Sequence, residues 1–210
     1  MSTKTTRRSW MRLRAIPHIP FLIWVVDPAE TLRYFRSLGH NVVGLDGSME
    51  FVAMARSYSE CEVLQQDFLA MELPESCFDG IFANASLFHV PSQELPRILA
   101  QLSETLRSRG VLFCSNPRGS NEEGLSDDRY CCFFDHDTWR DYVTAAGFFQ
   151  VSITTAHWGC RATSSGGSRP SGAKGKVRHA SRPSGSGGAL SDVGVWRMVH
   201  PSGSGNFELH

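Results

Sequence analysis

The sequence has no C-x-x-C pair, no repeated cysteine spacing, no apolar run long enough to cross a bilayer and no net charge, and each absence removes a class of function. Its six cysteines (Cys61, Cys77, Cys114, Cys131, Cys132, Cys160) lack the spacing of a zinc site or a disulfide framework, so no metal is expected. Unpaired cysteines suit a reducing compartment, which makes a cytoplasmic location the expectation. The apolar run from Ile19 to Val26 is too short to span a membrane and is interrupted by Pro20, so no membrane partner is expected. Twenty-one basic residues balance twenty-one acidic ones, which gives no global reason to expect nucleic acid as a specific partner.

Acids are missing from the amino-terminal stretch. Before Asp27 the only charged residues are Lys4, Arg7, Arg8, Arg12 and Arg14, and residues 1–20 read as a basic, disordered segment; a mitochondrial transit segment is the other reading of such a bias. Aromatics are missing between Trp158 and Trp196, where Asp192 is the only acid, and eleven of the 19 glycines lie between Gly159 and Gly205. That composition buries too little surface to repay the entropy of ordering, so residues 158–210 are expected to form a disordered low-complexity tail. The basic run Lys174 to His179 has no interleaved aromatics and reads as solvated rather than nucleic-acid-binding. One domain, residues 21–157, is left between these ends.

Within it, short apolar runs alternate with segments of helical period, the signature of βαβ units on a parallel sheet. Asn41 to Asp46 reads as a buried strand closed by an acid, Glu62 to Asp67 as a second, Phe78 to Asn84 as a third and Val111 to Ser115 as a fourth. Phe51, Val52, Met54 and Ala55 recur at helical spacing. Leu95, Ile98, Leu99, Leu102 and Leu106 do the same, and Arg107 to Gly110 reads as the basic, glycine-ended C-terminus of that helix. A last helix is expected over Thr138 to Phe148, with Gly147 as its cap.

Val43-Gly44-Leu45-Asp46-Gly47-Ser48, Gln66-Asp67-Phe68, Leu73-Pro74 with Phe78-Asp79-Gly80, and Leu87-Phe88-His89-Val90-Pro91 stand in an order that resembles the class I S-adenosylmethionine-dependent methyltransferase family over a little more than half of the chain. The resemblance implies an α/β fold with a Rossmann-like doubly wound sheet, S-adenosyl-L-methionine as cofactor and a small-molecule acceptor. It implies that Asp46 takes both ribose hydroxyls, with Gly47 turning the backbone directly after it. Asp67 would take the adenine amino group and Phe68 would offer its N–H and an apolar face to the purine, while Asn84 and Ala85 would meet the methionine end through backbone carbonyls. His89 is the candidate catalytic residue, a general base near neutrality. Against these stand the plainer roles of strand-end acids as turn formers and helix caps.

One family feature is missing. The first strand should lead into a loop of the form D-x-G-x-G-x-G just before Leu32, but Ile23 to Thr31 contains no glycine, and Pro28 lacks an N–H. Codons permitted for Leu22 to Thr31, regrouped from the last base of Leu22, read Asp-Leu-Gly-Cys-Gly-Pro-Gly-Arg-Asp. A tryptophan codon followed by a valine codon forces one of those glycines. Codons for Gly159 to Ser168 allow a family-like ending under the same offset. The sequence therefore predicts that both ends are out of frame around an in-frame centre, which sequencing of the gene would check, and that the sheet is incomplete. Two functions remain open at this point, a methyltransferase and a non-catalytic remnant or binding module that has lost the cofactor.

Overall fold

The computed structural model describes residues 20–24, 29–126, 129–158 and 189–198. Its main sheet has seven strands in the order β3-β2-β1-β4-β5-β9-β8. Five of them run parallel: β1 (Pro20–Trp24), β2 (Asn41–Asp46), β3 (Glu62–Gln65), β4 (Phe78–Asn84) and β5 (Leu106–Pro117). β9 (Ala189–Met198) lies antiparallel between β5 and β8 (Phe148–Trp158). A separate hairpin of β6 (Glu122–Ser126) and β7 (Arg129–Phe133) leaves the sheet between β5 and the last helix.

Burial explains why β2 forms where it does. Val42 and Val43 are both buried, yet they belong to different cores, because successive side chains of a strand leave opposite faces. Val42 joins Leu32 of α1 (Glu30–Ser37), Val52 and Ala55 of α2 (Met49–Ser59), and Val63. Val43 joins the larger core with Leu22, Ile81, the Leu95, Ile98, Leu99 and Leu102 stripe of α3 (Leu95–Thr105), and Trp139 and Val143 of α4 (His136–Ala145). Helices thus cover both faces of the sheet, the arrangement parallel strands require. Gly80 in β4 leaves the space that the ring of Phe21 occupies, so a Cβ there would force that ring to move. That ring stacks on Phe35 at 5.5 Å, and farther along the same face Phe82 stacks on Phe113 at 4.5 Å.

The fold class is the one the sequence implies, but three local expectations change. First, α3 stops at Thr105, and Arg107 to Gly110 belong to β5 rather than to a helix end. Leu106 pairs with Phe78, Arg107 reaches Asp79 at 2.6 Å, and Arg109, not Gly110, takes the left-handed φ of 68°. Strand pairing and this ion pair outweigh the helix-ending pattern. Second, residues 189–198, inside the stretch expected to be disordered, form β9. The stretch before them is rich in Gly, Ser and Arg, but six of these ten residues are apolar; Trp196 is fully buried and Met198 nearly so, and the backbone pairs on both sides. Third, the sheet carries seven strands and is not short of its closing strand.

The frame-shift expectations at Val25 to Pro28 and Gly159 to Ser168, the segment 1–19 and the rest of the tail lie outside the described residues. Gly147, with φ 89°, follows α4 as expected. Among the described residues no helix is long and apolar enough to cross a membrane.

Candidate functional site

β1 is the strand from which the chain order departs in both directions, to β2 and β3 on one side and to β4 and β5 on the other. Open α/β sheets bind ligands in the crevice at the carboxyl ends of the strands beside such a reversal. The predicted site residues fall on the two sides of this point.

On one side are the ends of β2 and β3. Asp46 is buried at the end of β2, and its Oδ1 accepts from the Ser48 N–H at 2.7 Å. Ser48 in turn caps α2 by accepting from the Phe51 N–H. The carboxylate therefore shapes the turn that carries Gly47, and the plain and the ligand-binding roles of Asp46 share one geometry. The Gln66 N–H donates to the Asp46 carbonyl at 3.0 Å, and a Cβ on Gly47 would lie 3.6 Å from the Gln66 carbonyl oxygen. Asp46-Gly47 and Gln66-Asp67 thus lie side by side. Asp67 is exposed, caps the turn Phe68–Ala70 and accepts from the Leu69 N–H at 2.9 Å, while Phe68 is half-buried against the larger core.

On the other side is the end of β4. Asn84 closes the strand, Ala85 turns with φ 48°, and Ser86 leads into the turn Leu87–His89. A non-glycine residue at positive φ is strained, and Ala85 is held by two acceptors on one residue: its N–H meets the Ser115 carbonyl at 2.9 Å and the Ser115 hydroxyl at 3.0 Å. His89 Nδ1 lies 2.8 Å from the Tyr130 carbonyl of the β6–β7 hairpin and 3.6 Å from Cys131 Sγ. Phe88 faces Phe133 with ring centroids 6.1 Å apart. The hairpin is thereby fastened over the turn that follows β4. Below it, burial and the Glu123 carboxylate at 3.3 Å push the Cys132 thiol up to about 12. Cys132 is buried and protonated, unlike a nucleophilic cysteine.

The sequence reading finds Asp46, Gly47, Asp67, Phe68, Asn84, Ala85 and His89, and the structure gathers them at the carboxyl edge in these two groups. It misses Ser115, which looks like an ordinary strand residue, and the hairpin partners Tyr130 and Glu123. The one available signal for the hairpin is the β-prone run Tyr130 to Phe134. A groove of about 420 Å³ between α3 and α4 is lined by Pro96, Ala100, Thr138, Tyr142 and Ala146 among others and touches none of the predicted site residues. Among the described residues no cluster of histidine, cysteine and acid could hold a metal ion.

A doubly wound sheet with one antiparallel strand set inside its edge, and acids closing its second strand and following its third, defines the class I methyltransferase fold. A family model described as a methyltransferase domain matches residues 28–114, so that stretch is similar to methyltransferase domains.

The malonyl-[acyl-carrier protein] O-methyltransferase of Pectobacterium atrosepticum is 36% identical over 93 residues, which are 43% of this chain and 36% of that relative. The match thus spans little more than a third of that protein's length. Among solved structures, a S-adenosylmethionine-dependent methyltransferase of Methanosarcina mazei superposes with a TM-score of 0.65 at 13% identity, over 90% of this chain and 96% of that one. The 1,6-didemethyltoxoflavin-N1-methyltransferase of Burkholderia thailandensis, solved with 1,6-didemethyltoxoflavin and S-adenosylhomocysteine, superposes with a TM-score of 0.61 at 17% identity, over 95% and 80%. At these identities the structural likeness speaks for the fold.

Proposed function

We propose that this chain transfers the methyl group of S-adenosylmethionine to a nucleophilic atom of a small-molecule acceptor. The observation that carries the proposal is the position of Asp46: a buried carboxylate at the carboxyl end of β2, beside the strand-order reversal and against the Gln66-Asp67 turn. A carboxylate can accept two hydroxyl protons at once, which suits the ribose diol.

The residues present fit the remaining parts of the cofactor. Asp67 and Phe68 would hold the adenine, since Gln66-Asp67 lies against Asp46-Gly47. Asn84 and Ala85 would hold the methionine end across β1. When bound, the cofactor supplies a methyl group activated by a sulfonium. The protein's task is then to hold the acceptor atom in line and to exclude water, which accounts for much of the acceleration in such transfers. The β6–β7 hairpin, packed on Leu87–His89, forms the wall against which an acceptor would rest. His89 would take the acceptor's proton.

Relatives on this fold are named for different acceptors, a malonyl group on a carrier protein and 1,6-didemethyltoxoflavin. The acceptor on such a fold is therefore set by the walls of the site rather than by the fold.

Titration calorimetry of S-adenosylmethionine into the purified chain tests the reading. Binding is expected, and Asp46→Ala should weaken it by about 1.5–3 kcal/mol, the scale of hydrogen bonds to a charged group. An equal affinity in that variant would refute the ribose assignment. Binding only after Asp-Leu-Gly-Cys-Gly-Pro-Gly-Arg-Asp is placed before Leu32 would favour the second reading, a remnant that has lost its cofactor loop.

A further inference from the structure

Ser115 is almost fully buried in β5, opposite Asn84 in register, and its hydroxyl has two partners. It accepts from the Ala85 N–H at 3.0 Å and lies 2.6 Å from Asn84 Oδ1. The second distance decides which way round the Asn84 amide sits. A separation of 2.6 Å falls within the range of an O–H···O bond and is shorter than an N–H···O bond normally allows. A hydroxyl that accepts from Ala85 still has its one proton to donate, and it gives that proton to Oδ1. The amide nitrogen therefore turns away from Ser115, and Nδ2 has no partner among the described residues. At the carboxyl end of β4, Asn84 thus turns Oδ1 toward Ser115 and presents the two N–H donors of Nδ2 on its other side.

We propose that Ser115 is a positioning residue for the cofactor's amino-acid end: it fixes the Asn84 amide so that Nδ2 donates to the methionine carboxylate. This rests on the S-adenosylmethionine reading above and adds a side-chain contact to the backbone contacts expected there. The methionine end offers a carboxylate, which only accepts, and an ammonium, which only donates. An Asn84 amide held with Nδ2 outward discriminates between them, whereas the flipped amide would face the ammonium. The same hydroxyl helps to hold Ala85 at its positive φ, so one residue of β5 sets both the side chain and the backbone at the end of β4.

The experiment compares two ligands, S-adenosylhomocysteine and its decarboxylated analogue, which keeps the ammonium and the adenosine. Calorimetry on Ser115→Ala and Asn84→Ala should show S-adenosylhomocysteine weakened by roughly three- to tenfold, the scale of one hydrogen bond, with the analogue unchanged. Ser115→Thr, which keeps the hydroxyl, should restore affinity. Equal weakening of both ligands in Ser115→Ala would make Ser115 a merely structural residue and overturn the proposal.

A ligand-free arm reads the Asn84 side-chain amide by 15N NMR. Both of its protons should exchange rapidly with solvent, whereas one proton protected by Ser115 would reveal the opposite orientation and sink the assignment. If the unsubstituted chain binds neither ligand, the cofactor reading fails and this assignment falls with it. If it binds and Ser115→Ala is indifferent, only the positioning role fails.

Discussion

His89 Nδ1 and the backbone carbonyl oxygen of Tyr130 lie 2.8 Å apart across 41 residues of chain. A carbonyl oxygen can only accept, so the imidazole nitrogen facing it carries the hydrogen. In the neutral ring this makes Nε2 the unprotonated nitrogen, the form a general base requires. The hairpin thus selects the tautomer of a residue at the end of the turn after β4, on the other side of the cleft from Asp46.

For His89 the expected outcome is a split between binding and turnover. His89→Ala should leave S-adenosylmethionine affinity unchanged and lower kcat, once an acceptor is in hand, by on the order of 100-fold, the lower range for a lost general base. Unchanged turnover would return His89 to a structural role at the entrance to the following helix.

Arg118 and Asp192 make a second long-range tie. Arg118 Nε donates to Asp192 Oδ2 at 2.9 Å, with a further bond from Nη2 to Oδ1. Asp192 is buried, with His136 Nδ1 3.7 Å away. Replacing Arg118 by Ala leaves a buried carboxylate short of its main cation, and urea unfolding should show a loss of about 1.5–3 kcal/mol, the scale of a charged hydrogen bond. Asp192→Asn in the same background should recover part of it. If Arg118→Ala unfolds at the same urea concentration as the parent, the tie does not hold β9 to β5.

The start of α4 has a pH dependence of definite sign. The Thr138 N–H, foremost, and then the Asn121 side chain hold the Asp135 carboxyl below the usual aspartate range. Because its folded pKa is depressed, Asp135 stabilises the fold above the unfolded value of about 3.9, and that contribution is lost as pH falls through the lower folded value. Thermal melts from about pH 6 down to about pH 2.5 should therefore show a smaller acid loss in Asp135→Asn than in the parent. Parallel curves would mean that the cap does not couple to stability.

Local signals made much of this fold legible. β2 is a run of apolar residues closed by Asp46, and α3 shows its buried stripe at Leu95, Ile98, Leu99 and Leu102. Both patterns arise from the period of the element itself. The ends of elements were less legible. Arg107 to Gly110 carries the residues of a helix C-terminus but is claimed by β5, because Phe78 and Asp79 offer Leu106 and Arg107 partners that no local pattern announces. β9 was illegible for a related reason: a short apolar run at the end of a Gly- and Ser-rich stretch becomes a strand when both neighbours lend it backbone partners and Trp196 finds the core.

The sequence by itself determined the alternation of strands and helices, the acids at Asp46 and Asp67, and the family resemblance that unites them, since each depends on residues adjacent or periodic in the chain. Tertiary structure alone decided that Ser115 turns the Asn84 amide, that Tyr130 selects the His89 tautomer and that Arg118 meets Asp192. Those partners stand 31, 41 and 74 residues apart. Their meeting depends on strand order and register, which are set by the summed burial of the whole sheet rather than by any short stretch of chain.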